Sequence, residues 1–266
     1  MRHTNCRSIV RVGTLLLLVL GEMPIFLHAE EITVAAASDL NFVFREVVAR
    51  FEHETGNTVK LSFGSSGNFY SQIENGAPYD LFFSADIDYP RKLEAAGLTE
   101  PGSLYPYASG RLVLWAPNDA KAKVQQGLKC LVEPQVRKIA MANPAHAPYG
   151  RAAEAALKKE GLYEKVAAKL VLGENISQTA HFIETGNADA GLIALSLALA
   201  PEMKTKGAYY VVDPNLYPTI VQAAVVLKSS RRKQTAQRFL EFIKTPAISA
   251  LMKQYGFESP GGEVGR

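Results

Sequence analysis

From Ile32 onward the chain alternates two hydrophobic patterns, one with the period of a strand and one with the period of a helix. Ile32 to Ala37 predicts a strand, and Leu40, Phe44, Val47, Val48 and Phe51 then form one apolar stripe that ends before Thr55 and Gly56. Val59, Leu61 and Phe63 alternate with Thr58, Lys60 and Ser62 as a second strand. Phe69 and Ile73 recur at helical spacing, and Gly76 stands where that helix must stop. Leu81–Ser84 predicts a short buried strand, followed by a helix over Tyr89–Ala96 that Gly97 closes. Further strands are expected at Arg111–Ala116, Lys138–Met141, Leu170–Leu172, Gly191–Ala194, Ala208–Val212 and Thr219–Leu227. Helices are expected at Arg151–Glu160, Ile176–Glu184, Lys233–Lys244 and Pro246–Tyr255. Strands alternating with helices imply an α/β protein with largely parallel sheets covered by helices on both faces and ligands at the carboxyl ends of the strands.

The strand-to-helix turns carry the candidate chemistry. Gly64-Ser65-Ser66-Gly67 joins the second strand to its helix: the glycines let the backbone turn, and the serines stand beside amides that lack partners inside the helix. Ala35-Ala36-Ala37-Ser38-Asp39 is a turn of the same kind, with Ser38 as N-cap candidate. In a parallel sheet both turns open on one edge, so two positive helix ends face one crevice. Asn143 to Gly150 ends another strand and starts a helix near Gly150 or Arg151, leaving amides near Tyr149 unpaired. Gly173-Glu174-Asn175-Ile176 does the same, with Asn175 as N-cap and Ile176 as first helical residue. Four such turns suit a small anion. Each serine, read alone, is equally a plain helix cap.

Composition narrows the partners. Arg2, Arg7 and Arg11 precede the apolar run Val12–Leu20, and Ala29 offers a cleavage point, so residues 1–29 read as a secretory signal peptide. That run is too short for a membrane span, and Cys6 lies before it, so a lipid-anchored form is not expected. The chain of 266 residues carries a formal charge of +3, and cleavage removes Arg2, Arg7, Arg11 and Glu22, leaving near neutrality. Such a balance gives no argument for nucleic acid or an anionic membrane. Only Cys130 remains after processing, which excludes an intramolecular disulfide and a thiolate metal site. No histidine partners Asp80 or Asp86 at metal-ligand spacing, and no cofactor is expected.

These residues resemble a known family. Ala35-Ala36-Ala37-Ser38, Ser62-Phe63-Gly64-Ser65-Ser66-Gly67, the run from Gly76 to Asp86 and the closing Tyr255-Gly256-Phe257 are similar to periplasmic molybdate-binding proteins, over nearly all of the chain after the leader. The resemblance implies a two-lobed class II periplasmic binding protein fold, each lobe a mainly parallel sheet covered by helices. Residues 30–108 and 218–266 would form lobe 1 and 109–217 lobe 2, with two crossings near Ser109 and Tyr217 as the hinge. It implies a monomeric, non-enzymatic receptor that closes over molybdate or tungstate and delivers it to an inner-membrane ABC permease. The implied contacts are Ser38 and Ser66, with the backbone amides of Tyr149, Ile176 and Asp39. Ala194 stands where many relatives place a tyrosine donor.

A fully deprotonated oxyanion wants only donors, so hydroxyls, amides and helix ends suffice. Sulfate differs mainly in size, whereas hydrogen phosphate also wants an acceptor, for which the Asp39 carboxylate is the candidate. We expect that carboxylate to face solvent at the helix start. Gly64-Ser65-Ser66-Gly67-Asn68 also nearly spells a hydrolase nucleophile elbow, but Asn68 replaces the second glycine and no histidine follows His181, which leaves a secreted serine hydrolase as the rival class.

Overall fold

In the computed structural model, residues 29–260, together with Met1, are described. The calls on the leader therefore lie outside the described residues. The elements run β1 (Glu31–Ala37), α1 (Asn41–Thr55), β2 (Thr58–Gly64), α2 (Ser66–Glu74), β3 (Leu81–Ser84), α3 (Asp88–Ala95), β4 (Tyr105–Gly110) and β5 (Leu112–Pro117). They continue with β6 (Ile139–Ala142), α4 (Pro148–Lys159), α5 (Tyr163–Val166), β7 (Leu170–Gly173), α6 (Ile176–Glu184), β8 (Ala190–Ala194), α7 (Leu195–Ala198), α8 (Pro201–Lys204) and β9 (Gly207–Val211). β10 (Ile220–Val226), α9 (Lys233–Ile243) and α10 (Pro246–Gln254) complete the order, and a 3-10 turn over Ser38–Leu40 links β1 to α1.

Two five-stranded sheets result, ordered β2-β1-β3-β10-β4 and β7-β6-β8-β5-β9. In the first, β2, β1 and β3 are parallel and β10 runs against both β3 and β4. In the second, β7, β6 and β8 are parallel and β5 runs against both β8 and β9. Each sheet thus has four strands in one direction and one against, the mostly parallel architecture that the alternation predicts.

Strand alternation divides the first sheet between two cores. Val34, Ala36, Leu81, Phe83, Ala224 and Val226 face α1, α9 and α10, while Ala35, Phe82 and Val225 face α2 and α3. On the first side Phe44, Phe51, Phe83 and Phe239 meet edge to face, with centroids 4.9 to 6.3 Å apart. That geometry aligns ring edges with ring faces and adds to the burial of the rings themselves. A separate core packs β5, β6 and β8 against α4 and α6, with Trp115 fully inside it.

The sheets are joined by two crossings. β4 passes into β5 through Arg111 alone, and the chain returns over 212–219 between β9 and β10. The C-terminal segment clamps the first crossing: Ser109 and Glu258 exchange backbone bonds at 2.8 and 3.0 Å, and Arg111 Nε donates to Glu258 Oε1 at 3.0 Å. Differences from the sequence reading sit at element ends and in elements that it did not name, β4, α5, α7 and α8. α4 starts at Pro148, ahead of the expected Gly150 or Arg151, because proline is pre-set for a first helical turn and its missing N–H costs nothing there. Ser38 is the first residue of the 3-10 turn, and its N-cap is Ala37, without a side-chain cap bond. β4 carries no alternation that marks it, since Tyr105, Pro106 and Tyr107 are all partly exposed.

Candidate functional site

The carboxyl ends of β1, β2, β6 and β7 meet where the two sheets face one another, and each feeds a helical N-terminus into the gap. Ser38, Asp39, Ser66, Tyr149 and Ile176 all line one small cavity there, with Ala37, Gly64, Ser65, Ala85, Ala147 and Pro148. The cavity has room for no more than about one water molecule. Among the described residues, no Lys or Arg lines it.

Both serine hydroxyls have an acceptor lone pair already filled. Ser66 Oγ accepts the amide of Ala85 at 2.9 Å, and Ser38 Oγ accepts the amide of Ser177 at 3.3 Å. A hydroxyl so engaged keeps its own proton to give, and both sit at the cavity wall. Ser65, one residue earlier, is the true N-cap of α2, accepting from Asn68 N. It thereby frees Ser66 for the cavity.

The helix ends supply amides. In α6, Gln178 N donates to the Asn175 side chain and Ser177 N to Ser38, while Ile176 is the first helical residue and has no acceptor in its own helix. In α4, Pro148 has no N–H, which makes Tyr149 the first residue with a donor, and its helix provides no acceptor either. In α2 the next amide, Gly67 N, donates across the gap to His146 O at 2.9 Å, leaving Ser66 N at the cavity end. Three positive helix ends therefore bring amide donors to one small cavity.

Asp39 overturns its expectation. Its carboxylate is buried, not solvated, because the N-terminus it precedes lies inside the closed gap. Oδ2 accepts from Tyr149 Oη at 3.0 Å and from Gln222 Nε2 at 2.6 Å, and Oδ1 has no hydrogen-bond partner. Burial raises the Asp39 carboxyl to about 6, against the lowering effect of Gln222, Tyr149 and the amides of Asp39 and Leu40. Tyr107 Oη in turn donates to Gln222 Oε1 at 2.7 Å. This chain ties β1, α4, β10 and β4 together behind the cavity.

Several contacts between the lobes were not foreseen. Ser177 Oγ donates to Ser38 O at 2.8 Å, and Ser196 Oγ to Asp39 O at 2.7 Å. Arg151 pairs with Asp86 at 2.5 Å and stacks over the Tyr89 ring. Ser65 Oγ lies 3.0 Å from His146 Nδ1, and His146 Nε2 lies 3.4 Å from Glu174. Each partner comes from a different region of the chain, so no local pattern marks it. Ala194, where a tyrosine was missed, is fully buried at the start of α7.

The architecture has counterparts. The model of the family described as bacterial extracellular solute-binding protein matches residues 32–258. The chain belongs to that family. It is 38% identical over 255 residues to the molybdate-binding protein ModA of Rhodobacter capsulatus, covering 96% of this chain and 98% of the relative. It is 38% identical over 257 residues to ModA of Azotobacter vinelandii, covering 97% and 99%. The solved Azotobacter vinelandii periplasmic molybdate-binding protein superimposes with a TM-score of 0.80 at 37% identity, over 86% of this chain and 99% of that one. A sulfate-binding protein from Mycobacterium tuberculosis, 17% identical with a TM-score of 0.70, shares the fold. This is a solute-binding protein and not an enzyme, which removes the hydrolase alternative. Ser65, His146 and Glu174 then form a contact between the lobes: the serine is buried, caps α2, and lies 3.0 Å from His146 Nδ1.

Proposed function

We propose that this protein captures molybdate, and tungstate with it, between lobe 1 (residues 30–108 and 218–266) and lobe 2 (109–217). The observation that carries the reading is the donor-only cavity. Ser38 and Ser66 have their acceptor sides occupied by backbone amides, and the helix ends at Tyr149 and Ile176 present unused N–H groups. A tetrahedral dianion with four acceptor oxygens is satisfied by such a wall without a salt bridge that would desolvate a second ion. The backbone amide of Asp39 completes the set, in place of the tyrosine that Ala194 does not supply. Similarity to molybdate-binding proteins supports this cargo.

Closure follows from the division of the donors. Ser38, Asp39 and Ser66 come from one sheet, Tyr149 and Ile176 from the other, so only the closed state satisfies the anion and binding shifts the population toward it. The two crossings act as hinge. Export by the leader 1–29 to the periplasm, action as a monomer and delivery to an ABC permease of the inner membrane complete the proposal. No cofactor takes part.

A second reading has one observation in its favour. The buried, unpartnered Asp39 Oδ1 is an acceptor, which suits a proton-bearing anion such as hydrogen phosphate. Competition between molybdate and phosphate in a calorimetric titration decides: molybdate alone supports the first reading, phosphate alone the second.

A further inference from the structure

The cavity assigned to a dianion has Asp39 among its lining residues, and the Asp39 carboxyl is buried behind it. Asp39 is 1% exposed, Oδ2 carries both of its side-chain bonds, and Oδ1 has none. The groups packed against it from each neighbouring element are neutral: Tyr149 from α4, Gln222 from β10, Tyr107 behind Gln222 from β4, and Ser196 of α7 on its main-chain carbonyl. Burial pushes both tyrosine hydroxyls well above the usual phenol range, so they stay protonated and donate. Among the described residues no Lys, Arg or His pairs with Asp39. The two side-chain pairs beside the gap, Arg151 with Asp86 and His146 with Glu174, are occupied with one another.

A buried carboxylate on a residue that lines the cavity and a dianion inside that cavity repel, with no cation paired to the carboxylate among the described residues. A carboxylic acid does not, and Oδ1 is an oxygen with no partner to lose by taking a proton. We propose that closure over the oxyanion takes up one proton at Asp39, which makes this residue a neutral acid in the loaded state and a determinant of which anions bind. The step joins a carboxylate and one solvent proton to give the acid, with no other bond changed. It rests on the reading of the cargo as a fully deprotonated dianion. Burial already raises the group to about 6, and a dianion beside it raises it further. An anion that brings its own proton, such as hydrogen phosphate, needs no such uptake.

The test is calorimetric titration of residues 30–266 with molybdate at pH 7.5, in two buffers of different ionisation enthalpy, for wild type and Asp39→Asn. The buffer dependence of the heat counts protons. Expected are close to one proton taken up by wild type and close to none by Asp39→Asn. Wild-type affinity should weaken by up to tenfold for each pH unit between 7 and 8, while that of Asp39→Asn stays flat. Tight molybdate binding with buffer-independent heat in wild type overturns the proposal, as does uptake that survives in Asp39→Asn. No molybdate heat at any pH overturns the cargo reading, and the proton step with it.

Discussion

Ser38 and Ser177 are bonded twice across the gap between the lobes: Ser177 N donates to Ser38 Oγ at 3.3 Å, and Ser177 Oγ donates to Ser38 O at 2.8 Å. The pair closes the cavity on one side and orients the Ser38 hydroxyl proton inward. One contact therefore couples closure to ligand recognition. Ser66 is oriented in the same way, by Ala85 within its own lobe.

Ser38→Ala and Ser66→Ala should each weaken molybdate binding by roughly 1 to 3 kcal/mol, the range of a charge-assisted hydrogen bond lost in a buried site. Ser66→Ala should be the more damaging, because the Ala85 amide that it leaves without an acceptor is buried, whereas the Ser177 amide freed by Ser38→Ala is only partly buried and more weakly bonded. Calorimetric titration of the two variants checks both the size and the order.

Gly67→Ala tests closure without touching a donor. A Cβ there would stand 2.7 Å from the carbonyl oxygen of His146 and 2.8 Å from Tyr89 Oη. The first belongs to the opposite lobe and cannot yield cheaply, so the lobes should be held apart. Affinity should fall more than tenfold while the melting temperature of the unliganded protein holds, since alanine favours a helix over glycine.

Arg151→Ala removes the one ion pair that links Asp86 of lobe 1 to α4. Both side chains are partly exposed, so the loss should be no more than about 1 kcal/mol and should shrink with added salt. Stopped-flow fluorescence of Trp115 should show it as faster release with little change in the rate of capture.

The raised Asp39 carboxyl makes closure pH-dependent even without ligand. A group at about 6 in the closed state, against the ordinary carboxylate range when the lobes part, holds more protons closed than open. Its contribution to closure is full below pH 4, is lost as pH rises through about 6, and is gone above it, a span of roughly 3 kcal/mol for two pH units. The unliganded protein should therefore be more compact by small-angle scattering at pH 5 than at pH 8. Asp39→Asn should abolish the difference.

What could be read in the sequence follows the range of each signal. α6 over Ile176–Glu184 and β3 over Leu81–Ser84 are set by local periodicity, and both were legible to the residue. Gly56, Gly76 and Gly97 stop their helices at positive φ, as their positions suggested. The unused amides at Tyr149 and Ile176 follow from counting back from a helix start, although α4 begins earlier than its polar turn implied. Gln222, Tyr107, Ser177 and Ser196 were not legible, because each reaches the site only once β10, β4, α6 and α7 are assembled. The Asp39 carboxylate failed for the same reason. An acid at a helix start is solvated by default, and Tyr149 of the facing lobe together with Gln222 of β10 covers it here.

The most direct test of the central claim is parallel calorimetric titration of residues 30–266 with molybdate, tungstate, sulfate and phosphate at neutral pH. The donor set predicts tight one-to-one binding of molybdate and tungstate, weaker binding of the smaller sulfate and no detectable heat from hydrogen phosphate. Binding of phosphate without molybdate would contradict it.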